Sequence, residues 1–291
     1  MSDGIFKQMS RKVVEGINEP LRETMIARNL MYFDTRYKGL GVSNIQSPKY
    51  TDMKAAEIMY RMPDGTLPRD KVAPSMDETR IVTLVDGFEI PRDEFEAFKD
   101  KGIMMDTANA LSASEKVIQR ENDFLLNGWK RDGSAYEISG LSEGEGTNEL
   151  TSKDFDTNGN AYDKVALAKA ALFAAGVSAT SFHLVLNPTQ YGQLDGSVST
   201  AGIEEMLQVK RQLGPRGNVW QSSDCSASFG LLLPDDPAGK YFRAYMPHPT
   251  TITFGYDSIV GQDISPIYGT VMERIGIHIS RSTAICKLSN I

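Results

Sequence analysis

The stretch Ile90–Trp129, IPRDEFEAFKDKGIMMDTANALSASEKVIQRENDFLLNGW, decides the fold because it predicts a short helix, a glycine break and one long helix. Asp93 can cap the short helix. Asp106 or Thr107 can open the long helix, and Gly128 lies just past its end. At about 1.5 Å per residue the long helix would be roughly 30 Å long, so we interpret it as scaffolding that spans a domain.

One face of the long helix is predicted to be apolar, because apolar residues recur three, four or seven positions apart. The residues of this stripe, with two flanking positions, are Met104, Ala108, Leu111, Ile118 and Leu125, beside Val117 and Phe124. The residues predicted to face solvent are Glu115, Lys116, Arg120 and Asp123. This pattern is typical of a helix that packs against a core on one side.

The composition is that of a globular protein. With 291 residues and 41% hydrophobic content, the chain can form one large domain or two smaller ones with a buried core. No window approaches the ~20 apolar residues of a membrane helix, and the first residues, MSDGIFKQMSRK, lack the apolar core of a secretory signal. We therefore expect a cytoplasmic origin and no membrane partner. Cys225 and Cys286 are expected to be reduced and buried, because their spacing indicates no disulfide framework.

The formal net charge of −7 argues against a protein that coats nucleic acid with its whole surface, because neutralising phosphates requires an excess of Lys and Arg. A container for nucleic acid is compatible with this charge, since a shell confines a polyanion by geometry. Residues 1–38 carry seven Lys or Arg against five acidic residues, so this segment is only mildly basic.

The N-terminal segment is predicted to be an amphipathic arm. Between Ile5 and Leu30 its apolar residues recur every three or four positions, interrupted by Gly16 and Pro20. These residues are Phe6, Met9, Val13, Ile17, Leu21 and Met25. Two interpretations stay open: the arm packs on its own subunit, or it packs on a neighbouring subunit.

Residues 53–90 predict two strands joined by a polar loop. An apolar segment, MKAAEIMYRM, precedes a loop rich in Pro, Asp and charge, and TRIVTLVDGFEI follows it. Pro63, Pro68 and Pro74 stiffen a connection that has little apolar content of its own. We therefore expect this loop to lie against a partner.

The rest of the chain interleaves helices with short strands. Residues 161–177, AYDKVALAKAALFAAGV, predict a helix that ends at Gly176, and residues 182–186 predict a strand. Further helices are predicted after Pro188 and over 201–214. Further strands are expected near 218–220, 229–233, 241–246, 250–255 and 270–288. The interleaving indicates an α+β protein with mostly antiparallel strands.

The strongest candidate metal site is DFDTNGNAYDKV, in which Asp154, Asp156 and Asn158 occupy positions 1, 3 and 5 of an EF-hand calcium loop. The twelfth position needs a bidentate glutamate and here is Val165, so the loop lacks its strongest ligand. A polar turn that caps the following helix is the preferred interpretation, and calcium is the weak alternative.

No other pattern predicts catalysis or a cofactor. GLSEGEG at 140–146 lacks the lysine of a P-loop. His183, His248 and His278 are far apart in sequence, and we interpret them as core or interface residues. No HExxH or CxxC spacing is present, although a dispersed Ser/His/Asp triad stays an alternative. The two aspartates at 235–236 are interpreted as solvent-facing residues of a turn between two prolines.

The order of these parts resembles the HK97-type major capsid proteins of tailed viruses and the related encapsulin shells, in which an extended two-stranded loop precedes a long spine helix. GLSEG at 140–144 resembles the family's Gly-Leu turn after the spine, and FHLVLNPTQYGQL at 182–194 resembles its strand, turn and helix. The runs SIVGQDISPIYG and VMERIGIHISRSTAICKL are similar to its late strands. The resemblance covers roughly residues 50–290.

The resemblance implies an HK97-like fold in five parts. They are an N-terminal arm over 1–50, an extended loop over 51–92, a peripheral domain with the spine helix over 93–180, an axial domain over 181–255, and strands that return to the peripheral domain over 256–291. The arm and the loop are expected to make assembly interfaces, or, in an encapsulin, the arm would help to form the cargo-docking groove. The interface residues that we expect are Phe6, Met9, Val13, Ile17, Arg69, Lys71 and Arg80.

The resemblance also implies a self-assembling structural subunit of an icosahedral shell, with no cofactor, and not an enzyme. We favour a viral or proviral major capsid protein that encloses a genome in a virion assembled in the host cytoplasm; a scaffold, portal or protease would be its further partners. The alternative is an encapsulin nanocompartment shell that encloses cargo protein. A soluble enzyme with a dispersed site and another phage structural protein, such as a tail component, are the remaining alternatives.

Overall fold

The computed structural model describes residues 25–49, 75–91, 93, 108–130, 136–143, 148–151, 155, 157, 159–198, 202–226, 229–256 and 267–291. The described helices are α1 (Ile26–Leu30), α2 (Ala108–Asn127), α3 (Asn160–Ala174), α4 (Pro188–Gly196) and α5 (Glu205–Leu213), with a 3-10 turn at Ser282–Ala284. The described strands are β1 (Tyr32–Asp34), β2 (Asn44–Lys49), β3 (Ser75–Arg80), β4 (Val82–Ile90), β5 (Gly128–Lys130), β6 (Tyr136–Ser139), β7 (Asn148–Leu150), β8 (Phe182–Leu186), β9 (Val219–Gln221), β10 (Phe229–Pro234), β11 (Phe242–Tyr256), β12 (Ile267–Ile279) and β13 (Cys286–Ser289). This mixture confirms the predicted α+β class. Within these ranges, no helix has both the length and the apolar character to span a lipid bilayer.

The long helix predicted from the sequence is α2, Ala108–Asn127. It ends at Gly128, whose φ of 79° lies in the left-handed region that glycine adopts without strain. The predicted capping residues Asp106 and Thr107 lie outside the described residues, as does most of the short helix predicted after Asp93. The long helix and its glycine stop are therefore confirmed.

The buried face of α2 differs in part from the predicted stripe. The stripe residues that are buried as predicted are Val117, Ile118, Phe124 and Leu125. The prediction was wrong for Ala108, which is exposed, and Leu111 is only half-buried. The buried face also includes Ser114, Glu121 and Asn122, and a search for apolar periodicity cannot include polar residues. On the solvent side the residues that are exposed as predicted are Glu115, Lys116 and Arg120, while Asp123 is half-buried.

A four-stranded sheet, in the order β1-β11-β12-β4, packs against α2. β1 is parallel to β11, and the other neighbouring strands are antiparallel. On β12, Val271, Glu273 and Ile275 are fully buried and alternate with partly exposed residues, as expected when every second side chain points to one face. The helix therefore covers one face of this sheet.

A five-stranded sheet has the order β7-β13-β10-β8-β9. Every residue of β8 and β10 is buried, so these central strands are covered on both faces. Helices α3, α4 and α5 pack against strands of this sheet. The strand predicted over 182–186 and the helices predicted after Pro188 and near 201–214 are confirmed. The later strands predicted from the sequence correspond to β9, β10, β11, β12 and β13.

The strands of each sheet come from widely separated parts of the chain. β11 (Phe242–Tyr256) lies in the four-stranded sheet, whereas β7 (Asn148–Leu150) and β13 (Cys286–Ser289) lie in the five-stranded sheet. The division of the chain at residues 50, 92, 180 and 255 stays a prediction.

A two-stranded ribbon pairs β2 with β3. We predicted two strands within 53–90; β4 confirms the second, whereas the apolar segment at 53–62 lies outside the described residues. The described partner of β3 is Asn44–Lys49, which belongs to the predicted arm. The ribbon is tied to the four-stranded sheet by a buried hydrogen bond of 2.5 Å between the hydroxyl groups of Ser47 and Tyr245.

Replacing Gly128 with alanine is expected to destabilise the fold. A Cβ atom at Gly128 would lie 2.2 Å from the carbonyl oxygen of Ile138 and 2.5 Å from the nitrogen of Gly140, at a φ of 79° that L-residues disfavour. We expect the free energy of unfolding to fall by about 1–3 kcal/mol or more, which would lower the midpoint of thermal unfolding. The control is Gly192→Ala in α4, where no atom lies within 4 Å of the added Cβ and alanine should stabilise the helix by roughly 0.5–1 kcal/mol. Equal midpoints for the two variants would contradict this account.

Candidate functional site

Of the predicted interface residues, the structure describes Arg80 alone. Those that lie outside the described residues are Phe6, Met9, Val13, Ile17, Arg69 and Lys71. Arg80 is exposed at the end of β3, opposite Asn44 of β2. Arg80 therefore lies on the ribbon, and its part in assembly stays a prediction.

The calcium candidate also falls largely outside the structure. Asp154, Asp156 and Asn158 are not among the described residues, so this weak alternative stays a prediction. Val165, at the position that needs a glutamate, is fully buried in α3. The N-cap of α3 is Gly159, with a φ of 88° and no side-chain cap. Among the residues that the structure describes, no group of three or more His, Cys, Asp or Glu side chains could hold a metal ion.

A cluster of buried and half-buried polar side chains lies where α1, α2 and the two sheets meet. We call Arg28, Glu121, Asn122, Asp224 and Glu273 the polar junction. Glu121 and Asn122 are adjacent on α2 and only 1% and 6% exposed, and Glu273 on β12 is 0% exposed. Buried polar groups need partners, because a lost hydrogen bond is not replaced by water.

Arg28 and Glu121 form a bidentate ion pair at the centre of the junction. The Arg28 Nε atom lies 2.9 Å from Glu121 Oε1, and Nη2 lies 2.6 Å from Oε2. The same Nη2 atom lies 3.3 Å from Glu273 Oε1. A fork of this kind fixes orientation as well as distance, so it sets how α1 lies on α2.

Glu273 is the second carboxyl group at this guanidinium. Its Oε2 atom accepts a hydrogen bond of 2.8 Å from the Thr250 hydroxyl. Burial, together with the nearby charge of Glu121, raises the pKa of Glu273 from its ordinary 4.5 to about 8. At pH 7 Glu273 therefore retains its proton.

Asn122 connects three parts of the fold with one side chain. Its Oδ1 atom accepts a hydrogen bond of 3.0 Å from the backbone nitrogen of Ala27, in the first turn of α1. Its Nδ2 atom donates to the carboxylate of Asp224 and lies 3.4 Å from the Ser222 hydroxyl, both in the loop that follows β9. Asn122 thus satisfies a helix donor that has no partner inside α1 and joins α1 to the five-stranded sheet.

A groove of about 560 Å³ opens beside the polar junction. The residues that line it are Met25, Ile26, Gln119, Asn122, Pro188, Trp220, Gln221, Ser222, Ser223 and Asp224. The lining combines apolar side chains with polar ones from the Asp224 loop. This mixture suits a peptide segment that buries apolar side chains and hydrogen-bonds its backbone.

Among the residues that the structure describes, the two buried histidines do not lie at one site. His183 lies on β8 and His278 on β12, which belong to different sheets. Both are buried, as predicted for core histidines, and burial lowers the pKa of His183. Cys225 and Cys286 are buried free thiols, as predicted, and burial raises their pKa values to about 12 and about 11.

The prediction that the aspartates at 235–236 face solvent was wrong for Asp236. Asp236 is only 6% exposed. Its carboxylate accepts hydrogen bonds from the backbone nitrogens of Lys240, Tyr241 and Phe242, at 2.9, 2.6 and 3.3 Å. Three backbone donors in a tight turn need an acceptor, and Asp236 supplies it.

Sequence reasoning missed the polar junction. One signal was present: Glu121 and Asn122 lie three or four residues after Ile118 and before Leu125, where the apolar stripe should continue. A polar pair on a buried helix face predicts partners. The sequence contains no signal that those partners are Arg28 and Glu273.

Glu273→Gln is expected to change how stability depends on pH. Because the folded pKa of about 8 lies above the ordinary 4.5, the contribution of Glu273 to stability is full below pH 4.5 and is lost as the pH rises toward 8. Glutamine keeps the shape of the protonated acid and does not titrate. Measured by circular dichroism, the unfolding midpoint of the variant should therefore be close to that of the wild type near pH 4.5 and above it near pH 8.

Glu121→Gln is the matched control for Glu273→Gln, since it removes a carboxylate from the same junction. Arg28 would lose its bidentate acceptor. We expect the free energy of unfolding to be lower at every pH between 4.5 and 8, by up to roughly 5 kcal/mol. Parallel pH profiles for the wild type and Glu273→Gln would contradict the assignment of the retained proton to Glu273.

Comparison with known proteins places this architecture among shell proteins. The virus-like particle from Pyrococcus furiosus matches with a TM-score of 0.67 and 15% identity, over 98% of this chain and 99% of that chain. The capsid of Myoviridae phage XM1 matches with a TM-score of 0.66 and 12% identity, over 92% of each chain. The capsid of the native GTA particle has a TM-score of 0.62 and 14% identity, over 91% of this chain and 96% of that chain. These likenesses confirm the predicted HK97-type fold.

Sequence comparison identifies the family. A diheme-cytochrome-encapsulin shell fusion protein of Kuenenia stuttgartiensis is 29% identical over 154 residues, which are 53% of this chain. This chain spans about two fifths (40%) of the length of that curated relative. The model of the Linocin_M18 family, described as encapsulating protein for peroxidase, matches residues 7–246. Since that match covers most of the sequence, the chain belongs to the Linocin_M18 family of encapsulin shell proteins, as the resemblance predicted.

Proposed function

We propose that this chain is the structural subunit of a closed icosahedral shell that assembles from many copies of itself. The observation that supports this most directly is the reach of the shared fold, which extends over 98% of this chain and 99% of the Pyrococcus furiosus virus-like-particle chain. Proteins of this family and fold are structural. Function in such a subunit resides in the surfaces that copies present to one another, so its stability is shared with its neighbours.

We infer that the shell encloses macromolecules, and two classes of contents follow from different observations. A genome fits the viral or proviral capsid function that we favour from the sequence, and the fold shared with the phage XM1 capsid over 92% of this chain supports it. A protein cargo fits the encapsulin alternative, and the family description as an encapsulating protein for peroxidase supports it. The net charge of −7 suits either, because walls that bind polyanions weakly let contents pack freely.

The remaining parts of the proposal depend on which contents are enclosed. A capsid would be assembled in the host cytoplasm with a scaffold, portal or protease as further partners. A nanocompartment would need only its cargo. The groove beside the polar junction suits a peptide segment of such a cargo, because apolar Met25, Ile26 and Trp220 line it.

Expression of the chain alone tests the shell function. We expect closed particles of megadalton mass, because large self-complementary interfaces hold obligate assemblies together. Size-exclusion chromatography with light scattering, followed by electron microscopy of the leading peak, measures this. A monomer or small oligomer that stays so when scaffold proteins are added would contradict the proposal.

Analysis of purified particles separates the two classes of contents. Nucleic acid that survives nuclease treatment of intact particles would support the capsid function. A co-purified protein that resists protease until the particles are opened would support the encapsulin function. Nuclease and protease treatment of opened particles is the control for both.

A further inference from the structure

The outward side of α3 is apolar, although solvent reaches it in the single chain. We call its residues the α3 face: Tyr162, Ala166, Leu167, Ala170, Phe173 and Ala174. Tyr162, Leu167 and Phe173 are 39%, 47% and 50% exposed. Of the exposed positions of α3, a helix that the structure describes in full, only Asp163 carries a charge. A surface helix normally places polar residues on this side.

The inward side of α3 is mostly apolar as well. Its buried apolar residues, each 0% exposed, are Ala161, Val165, Ala168 and Leu172, and Lys164 is buried among them. A helix that is mostly apolar on two sides is normally covered on both. Single exposed apolar residues need no explanation, whereas an apolar patch rimmed by polar residues marks an interaction site.

Helix α5 widens this surface. The backbone nitrogen of Tyr162 donates to Glu205 Oε1 at 3.2 Å, and the Lys169 Nζ atom donates to the carbonyl oxygen of Gln212. Both pairs are separated by 43 residues, so α3 and α5 run side by side in the same direction. Leu207 is a further exposed apolar residue of α5, at 47% exposure.

The charges around the α3 face favour a protein partner over a nucleic acid. Lys169 is half-buried, and burial lowers its pKa, so α3 offers phosphates no exposed cation. Asp163 is exposed near the start of α3, whereas Lys210 and Arg211 are exposed near the end of α5. Two parallel helices thus carry an acid at one end and bases at the other. The basic end of one copy can meet the acidic end of the next.

We propose that the α3 face is a contact surface between neighbouring copies of this chain. The proposal rests on the shell function proposed above, in which every copy meets others around symmetry axes. Ala166 and Ala170 lie about one helical turn apart, so their small side chains let a second backbone approach closely. Tyr162 and Phe173 supply the aromatic area that is enriched in the cores of interfaces.

Ala166→Glu combined with Ala170→Glu tests this assignment. Both positions are exposed and glutamate favours helices, so the subunit should keep its circular dichroism spectrum and its unfolding midpoint. The two carboxylates would be buried at the contact without partners, so we expect at least a tenfold loss of closed particles by light scattering. The matched control, Ala108→Glu with Ser112→Glu, adds the same charges, also four residues apart, at exposed positions of α2 and should assemble like the wild type.

Hydroxyl-radical footprinting gives a readout that needs no variant. Tyr162 and Phe173 should be oxidised several-fold more slowly in wild-type particles than in dissociated subunits.

Wild-type yields of particles from the α3 variant would overturn the proposal. Equal loss of particles in both double variants would overturn it too, because added negative charge would then prevent assembly wherever it lies on the subunit. An α3 variant that assembles but loses its contents would assign the face to cargo. A wild-type chain that never forms particles would instead refute the shell function.

Discussion

The bidentate pairing of Arg28 with Glu121 determines where the first described helix lies on the spine helix α2. Its neighbour Asn122 determines where the loop after β9 lies on the same helix, through Asp224. These two adjacent side chains face different parts of the molecule, so one turn of α2 connects α1, the four-stranded sheet and the five-stranded sheet. Buried ion pairs add little net stability, but breaking one leaves a charge without a partner. The junction therefore selects one arrangement of the layers more than it strengthens that arrangement.

A shell subunit needs such a selection. Copies can close into a particle only if each presents its contact surfaces at the same angles, and an error in one subunit is repeated in every contact around a symmetry axis. Apolar packing alone tolerates rearrangement at small cost, whereas a desolvated network of charges and amides has few alternatives of equal energy. The raised pKa of Glu273 makes this network depend on pH as well.

The elements of the fold follow from local signals in the sequence to a large extent. Gly128 marks the end of α2, and the run of apolar residues over 182–186 predicts β8, because turn chemistry and burial act within a few residues. The order of these elements was enough to indicate the family. The candidate sites were harder, since their partners are distant in sequence. Arg28 and Glu273 are 245 residues apart, and neither carries a local signal that it is buried with the other.

The α3 face is a second feature that the sequence alone does not determine. Its alanines predict a helix that packs closely, but the sequence does not say which of two apolar sides faces the core. Asp236 was predicted to be exposed but is buried. An aspartate between prolines is typical of an exposed turn, whereas the turn here folds around its carboxylate. Both cases depend on tertiary packing, which residue spacing alone does not record.

The position of β13 has a consequence for how the protein is made. This strand, Cys286–Ser289, lies inside the five-stranded sheet, between β7 and β10, although β7 precedes it by more than a hundred residues. Lys164, fully buried in α3, also donates to the carbonyl oxygen of Ser289 at 2.7 Å. While the ribosome is still translating the preceding residues, the sheet lacks the strand that joins β7 to β10, and Lys164 lacks this acceptor. A nascent chain thus cannot complete this sheet until β13 has been synthesised, so the pairing of distant segments makes its folding late.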